Sequence, residues 1–238
     1  MTRSSASLQV PRITQPQSVP VVGTDAHLPA VALERLQPQA LREHFERFAR
    51  ASDAWTPEIS GDGRLQDGVT RDASVLVPLV QRDDGLQVLL TRRTDHLHDH
   101  AGQISFPGGR MDPEDVDSVA TALRETEEEI GLAREHIEVL GQLPVYTTVT
   151  RYRVTPVVAL VQPPFSMTLD SFEVAEAFEV PLAFLMNPAQ HRRHEVTFEQ
   201  MKRQFLSMPW YEGGREYFIW GATAAMLRNL YGFLRHPH

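Results

Sequence analysis

The sequence contains no cysteine among its 238 residues, and that absence removes several kinds of chemistry. Disulfide bonds, zinc–thiolate sites and catalysis by a thiol are excluded. A chain without cysteine is typical of the cytoplasm, which is the location we expect. No stretch reaches the roughly 18 consecutive apolar residues that a membrane-spanning helix needs, so we expect no membrane association.

Basic residues are also in deficit. Lys and Arg number 23 against 31 Asp and Glu, which gives a formal net charge of −8. A surface with this balance repels a phosphate backbone, so we expect no nucleic-acid partner. A small anionic substrate could still bind if cations reverse the field locally, and the overall charge therefore favours a metal-dependent site.

The first 29 residues show neither helical nor strand periodicity, and they contain no acid before Asp25. They also lack the apolar segment of a secretory signal. The sequence predicts a disordered tail over residues 1–29. Residues 30–70 are predicted to form a helical extension followed by a loop, with two short helices because Pro38 interrupts the apolar repeat.

Residues 71–238 alternate strand and helix patterns, which predicts an α/β domain. A hairpin is indicated by Asp83, Asp84 and Gly85. The predicted strands are 73–80, 86–92, 103–106, 138–143, 154–161 and 177–182. A short helix over 183–186, a second hairpin from 202–210 to 215–220 and a final helix over 222–234 complete the prediction.

The most informative segment joins two glycines, Gly108 and Gly109, to a helix that bears a run of acids. At about 100° per residue, Glu125, Glu128 and Glu129 share one arc of that helix. Asp115 or Asp117 can cap its beginning and Gly131 can end it.

Carboxylates held this close raise one another's pKa unless a cation lies among them. Oxygen ligands of this kind suit Mg²⁺ or Mn²⁺. A solvated acidic face is the alternative for an arbitrary run of Glu, but the preceding glycine loop favours a metal site.

These residues resemble the box of the Nudix hydrolase family, in which a glycine loop precedes Arg-Glu, two residues, Glu-Glu, one residue and Gly. The match extends over Arg124, Glu125, Glu128, Glu129 and Gly131. The resemblance implies a mixed β-sheet sandwiched between helices, with an N-terminal helical extension added here. It also implies that the three glutamates bind Mg²⁺ or Mn²⁺ and that Arg124 orients them.

The upstream sequence resembles the coenzyme A pyrophosphatase branch of that family. The matching residues are Leu89-Leu90-Thr91, Arg93, Gly102 and Phe106-Pro107-Gly108-Gly109, and Thr94 stands where the branch usually has Ser or Ala. His98 replaces the arginine usual in the branch. The resemblance implies hydrolysis of coenzyme A to 4′-phosphopantetheine and adenosine 3′,5′-bisphosphate, with substrate contacts from Arg93, His98, Gly108 and Gly109.

Outside the box, the stretch from Glu173 to Glu176 could supply the catalytic base, with Glu173 as the candidate, and Glu179 follows it; a solvated loop explains these acids equally well. Four aromatic residues are candidates for stacking on adenine, although ordinary packing also explains each of them: Tyr146, Tyr152, Trp210 and Tyr211. Two other functions remain open. The first is hydrolysis of ADP-ribose, dinucleotides or nucleoside triphosphates, and the second is a module that binds a nucleotide without turnover.

Overall fold

The structure is a computed structural model that describes residues 13–50, 55–61, 70–96, 102–198 and 201–237. The helices are α1 (Pro38–Arg50), α2 (Ser118–Ile130), α3 (Leu182–Leu185) and α4 (Gly221–Arg235). The strands are β1 (Val21–Thr24), β2 (Arg71–Arg82), β3 (Gly85–Arg93), β4 (Ile104–Ser105), β5 (Gly108–Arg110), β6 (Ile137–Gln142), β7 (Tyr146–Thr147), β8 (Tyr152–Val161), β9 (Val174–Pro181), β10 (Arg192–Phe198), β11 (Met201–Glu212) and β12 (Arg215–Trp220).

The main sheet is mixed and has eight strands. Its central path runs β4-β3-β2-β8-β6, while β5, β7 and β9 pair with β2, β8 and β3 respectively. The β2–β8 pair is parallel and the other pairs of this sheet are antiparallel. This is the mixed sheet that the sequence predicted.

Alternation along β2 sends neighbouring side chains to opposite faces of that sheet. On one face, Leu76 packs with Ala122 of α2. On the other face, Val77 and Leu79 join a large core that includes residues from α1 and α4, among them Leu41 and Phe233. Helices therefore cover both faces of the main sheet.

A second sheet is antiparallel and runs β1-β10-β11-β12. The β11–β12 hairpin was predicted, but β1 and β10 were not. The prediction of a disordered tail over residues 1–29 is wrong for residues 13–29, because β1 pairs with β10 and Asp25 is buried in an ion pair with Arg193 at 2.7 Å. Residues 1–12 lie outside the described residues.

The predicted interruption at Pro38 is confirmed. A 3₁₀ turn spans Leu33–Leu36, and α1 then begins at Pro38 itself. Proline suits the first position of a helix because its missing N–H has no intrahelical partner there. Within the described residues, no helix is long and apolar enough to span a membrane.

Candidate active site

The two glycines of the loop serve different purposes. Gly108 has φ +149°, and a Cβ there would lie 2.4 Å from the backbone oxygen of Ser74, so the close pairing of β5 with β2 requires glycine. A Cβ on Gly109 would instead lie 2.5 Å from Oε2 of Glu125. The first glycine lets two strands approach, and the second leaves room for a carboxylate.

Helix α2 has the boundaries that the sequence predicted. Asp117 is the N-cap, and its side chain accepts a hydrogen bond from the backbone N–H of Ala120 at 2.8 Å. Gly131 ends the helix in the left-handed conformation, with its N–H bonded to the Glu127 carbonyl at 2.9 Å. Both ends are thus fixed by local chemistry, which sets the direction of the acidic arc.

The three predicted glutamates have different surroundings. Glu129 is buried, with 7% of its side chain exposed, and accepts a hydrogen bond from the Gly108 N–H at 3.1 Å. Glu125 and Glu128 both accept from Nη1 of Arg124, at 3.0 and 2.9 Å. Arg124 therefore holds two of the carboxylates, and the glycine loop holds the third.

Arg124 is itself fixed by Asp115. Its Nε and Nη2 donate to the two oxygens of Asp115 at 3.0 and 2.8 Å, a bidentate pair. Arg124 holds the pKa of Asp115 well below its ordinary range. Asp115 thus orients the arginine that contacts Glu125 and Glu128.

The carboxylates of the site are buried without enough positive charge nearby to compensate for the loss of solvent. Desolvation raises the pKa of Glu129 to about 7, and it raises that of Glu125 despite the nearby Arg124. A divalent cation beside these oxygens would offset that cost, so the donor set fits Mg²⁺ or Mn²⁺. Within the described residues, no three acidic or histidine side chains already converge as a metal cluster.

Arg93 and Glu173 lie beside this helix, although both are distant from it in sequence. The Arg93 guanidinium is 3.8 Å from Oε1 of Glu129 and 3.5 Å from Oε2 of Glu173. Its Nε is buried and has no hydrogen-bond partner among the described residues. A buried guanidinium with an unused donor fits an anionic ligand.

The segment before β9 is tied to both sides of the site. The backbone N–H of Asp170 donates to the Glu129 carbonyl at 2.9 Å, and the N–H of Thr94 donates to the Glu173 carbonyl at 3.0 Å. These bonds link the end of α2 to the end of β3. They place Glu173 beside the box helix.

The other predicted acids lie elsewhere. Glu176 accepts from Tyr217 and Arg215, each at 2.7 Å, and Glu179 pairs with Arg82 at 2.6 Å. Both carboxylates are thus held by partners that lie outside the box helix. His98 lies outside the described residues.

A cleft of about 770 Å³ opens beside the glycine loop. Its walls come from Arg93 and the Gly108–Arg110 segment on one side, and from β11 and the start of α4 on the other. Tyr146 and Tyr152 line it, whereas Trp210 packs against Phe184 elsewhere and Tyr211 bonds to Glu216 at the β11–β12 hairpin. Two of the four aromatic candidates are thus at the site.

Sequence reasoning missed the cleft wall that the second sheet supplies. Arg193 of β10 and Lys202 of β11 line the cleft, but β10 was not predicted. The available signal was short, because only Val196, Thr197 and Phe198 alternate between apolar and polar residues in this strand.

Fold and site together define an α/β protein with a glycine loop and a carboxylate-bearing helix beside a deep cleft. The NUDIX domain model matches residues 70–202, and the chain belongs to the Nudix hydrolase family. It is 40% identical over 161 residues to the uncharacterized Nudix hydrolase NudL of Escherichia coli K12, covering 67% of this chain and 81% of that protein.

Two solved structures align with about half of the chain. A C. elegans Ap4A hydrolase in a binary complex aligns with a TM-score of 0.41 and 21% identity, covering 48% of this chain and 85% of the other. The NUDIX domain of Shewanella oneidensis NrtR, complexed with ADP ribose, aligns with a TM-score of 0.39 and 22% identity, covering 49% and 75%.

Proposed function

We propose that this Nudix hydrolase cleaves the pyrophosphate bond of coenzyme A, giving 4′-phosphopantetheine and adenosine 3′,5′-bisphosphate. The observation that carries the proposal is the Arg93 guanidinium, which lines the cleft with its Nε buried and unpaired among the described residues. A phosphate oxygen would supply the missing hydrogen-bond partner.

Glu125, Glu128 and Glu129 would hold Mg²⁺ or Mn²⁺. When bound, such an ion offsets charge on the phosphate oxygens and lowers the pKa of a water molecule. The raised pKa values of Glu125 and Glu129 support this role, because both carboxylates lack sufficient compensation from the protein alone.

The remaining residues act on substrate and water. Arg93 neutralises a phosphate, and Glu173, held beside it, accepts a proton from the attacking water. Arg124 keeps Glu125 and Glu128 on one side of the helix through its two hydrogen bonds. Asp115 fixes Arg124 in turn.

The substrate class is supported by the cleft and by the signature segment. A volume of about 770 Å³ falls within the range of roughly 300–1,000 Å³ usual for cofactor-sized ligands. Arg93 belongs to the upstream signature that resembles coenzyme A pyrophosphatases, and it reaches the box helix in space.

A substrate panel tests the function. Coenzyme A, dephospho-coenzyme A, ADP-ribose, Ap4A and a nucleoside triphosphate are assayed with Mg²⁺ or Mn²⁺ and with chelator. We expect metal-dependent cleavage with the highest kcat/KM for coenzyme A. Preference for ADP-ribose would overturn the assignment of coenzyme A as substrate. Binding without any turnover would show that the protein is a nucleotide-binding module rather than an enzyme.

His98 gives a sharper test of coenzyme A itself. Histidine is cationic only below a pKa of about 6.5, whereas arginine pairs with phosphate at every physiological pH. We expect His98→Arg to lower KM for coenzyme A above pH 7, with less effect on dephospho-coenzyme A. The comparison tests a contact of His98 with the 3′-phosphate, which dephospho-coenzyme A lacks, and equal effects on the two coenzymes would exclude that contact.

A further inference from the structure

We propose that residues 58–61 form a fixed wall of the substrate cleft, and that Ile59 sets the size of the group that the cleft admits there. Ile59 lines the same cleft as Arg93 and Gly108 of the proposed pyrophosphate site. Residues 58–61 lie before the Nudix domain in the chain. This inference rests on the proposed function, because it takes that cleft to be where the substrate binds.

The backbone of Ile59 is held from helix α4. Its N–H donates to Oδ1 of Asn229 at 3.1 Å, and its carbonyl accepts from Nδ2 of the same side chain at 2.7 Å. Asn229 is buried, with 3% of its surface exposed. One amide therefore satisfies both backbone groups of Ile59, and a shift of this residue away from α4 would break both hydrogen bonds.

The Glu58 side chain anchors the start of the wall. Its two carboxylate oxygens accept from Nη2 of Arg193 at 3.1 Å and from Nε of Arg228 at 2.7 Å. Both arginines also pair with the buried Asp25. This ionic network ties the wall to the second sheet and to α4.

The end of the wall is tied to β7. The Ser60 carbonyl accepts from the backbone N–H of Thr147 at 3.1 Å, and Gly61 pairs with Thr147 in an isolated bridge. Gly61 has φ +111°, and a Cβ there would overlap the Thr147 backbone oxygen, so this close approach requires glycine. Each of the four residues of the wall is thus held by a contact of its own.

Ile59 is the residue of the wall whose side chain can limit the cleft. It is half-buried, whereas the Ser60 side chain is exposed and is not among the described residues that line the cleft. Ala225 and Met226, one turn before Asn229 on α4, line the cleft as well. With Ile59 they form an apolar surface, which suits an uncharged part of the substrate rather than its phosphates. Because the backbone is anchored, a larger side chain at position 59 must extend into the cleft.

Ile59→Trp and Ser60→Trp are a matched pair, since both place the same ring on the same anchored segment. One extra or missing methylene in an apolar pocket changes kcat/KM by roughly 10- to 200-fold. We therefore expect Ile59→Trp to lower kcat/KM for coenzyme A by about 10-fold or more, mainly through KM, while Ser60→Trp keeps the wild-type value. Ile59→Ala widens the cleft and should favour the larger substrate Ap4A relative to coenzyme A. Circular dichroism checks that the three variants are folded.

Equal kcat/KM values in the two tryptophan variants would overturn the proposal. A binding measurement makes the test independent of turnover. The Kd values of coenzyme A and ADP-ribose are measured by titration calorimetry without metal, and binding should be weaker in Ile59→Trp than in Ser60→Trp. If the wild-type protein cleaves no substrate of the panel, the proposed function fails, and the Kd values alone decide the role of Ile59. Equal Kd values in the two variants, or no binding of either ligand, would overturn that role.

Discussion

The carboxylate of Glu125 occupies the space where a side chain at position 109 would begin. A Cβ built on Gly109 lies 2.5 Å from Oε2 of that glutamate. Glycine at this position is thus needed for the position of a carboxylate rather than for its own backbone conformation. By contrast, Gly108 is needed for its backbone, which approaches Ser74 at positive φ.

Gly109→Ala should therefore separate activity from stability. The group that must move is the end of a flexible side chain, so the fold can accept the methyl group while Glu125 loses its position. We expect a large fall in kcat and a melting temperature close to that of the wild type. Gly23→Ala is the control, since a Cβ there meets nothing within 4 Å. A similar loss of activity in both variants would contradict this role for Gly109.

Glu129 and Glu127 offer a matched pair on one helix. Glu129 faces the glycine loop, whereas Glu127 is half-exposed and pairs with Arg134 at 3.2 Å. If Glu129 holds the metal, Glu129→Gln should lower kcat by more than the roughly 10- to 100-fold that loss of an outer hydrogen-bond partner costs at metal sites. Glu127→Gln should retain near-wild-type activity. Circular dichroism checks that both variants are folded, and equal losses would defeat the assignment.

Helix α2 could be predicted closely because its signals are local. The Asp117 cap, the apolar stripe and the Gly131 stop all lie within the helix or next to it. The contacts of Arg93 with Glu129 and Glu173 could not be predicted in this way, because they join parts of the chain that are distant in sequence. The sequence alone does not distinguish Glu173 from Glu176, whereas in the structure Glu173 contacts Arg93 and Glu176 contacts Tyr217 and Arg215.

The N-terminal segment was misread for a related reason. All four residues of strand β1 are exposed, and its two valines, Val21 and Val22, are adjacent rather than alternating with polar residues, yet the strand pairs with β10. Asp25 is held by ionic contacts with Arg193 and Arg228, at 2.7 and 3.0 Å. Arg193 lies 168 residues from Asp25 in the sequence. Contacts at such a separation leave no local sequence pattern from which they could be predicted.

Asp25→Ala should consequently be destabilising. Arg228 is only 4% exposed, and removing one partner of a buried ion pair costs about 3–5 kcal/mol. Urea unfolding should show that loss in the free energy of unfolding. Glu46→Ala is the control because its pair with Arg50 is largely exposed, and its unfolding midpoint should match the wild type. An unchanged free energy of unfolding in Asp25→Ala would mean that the N-terminal segment contributes little to the stability of the fold.

His191 contacts the same buried Arg228, and we expect it to make the folded protein less stable in acid. Its Nε2 contacts the Leu185 carbonyl at 2.8 Å, and Arg228 donates to its Nδ1 at 3.2 Å, so the ring is neutral. Burial, with Arg228 adding to it, lowers the pKa of His191 to about 4 from 6.5. Between these pH values the unfolded chain binds a proton that the folded protein does not. The free energy of unfolding therefore falls by about 3 kcal/mol from this group as pH falls from 6.5 towards 4.

Urea titrations at pH 7.5, 5.5 and 4.5 should show that loss in the metal-free wild type. The loss should be smaller in His191→Gln, whose amide can make both hydrogen bonds without titrating. Equal losses in the two proteins would assign the acid sensitivity to other groups.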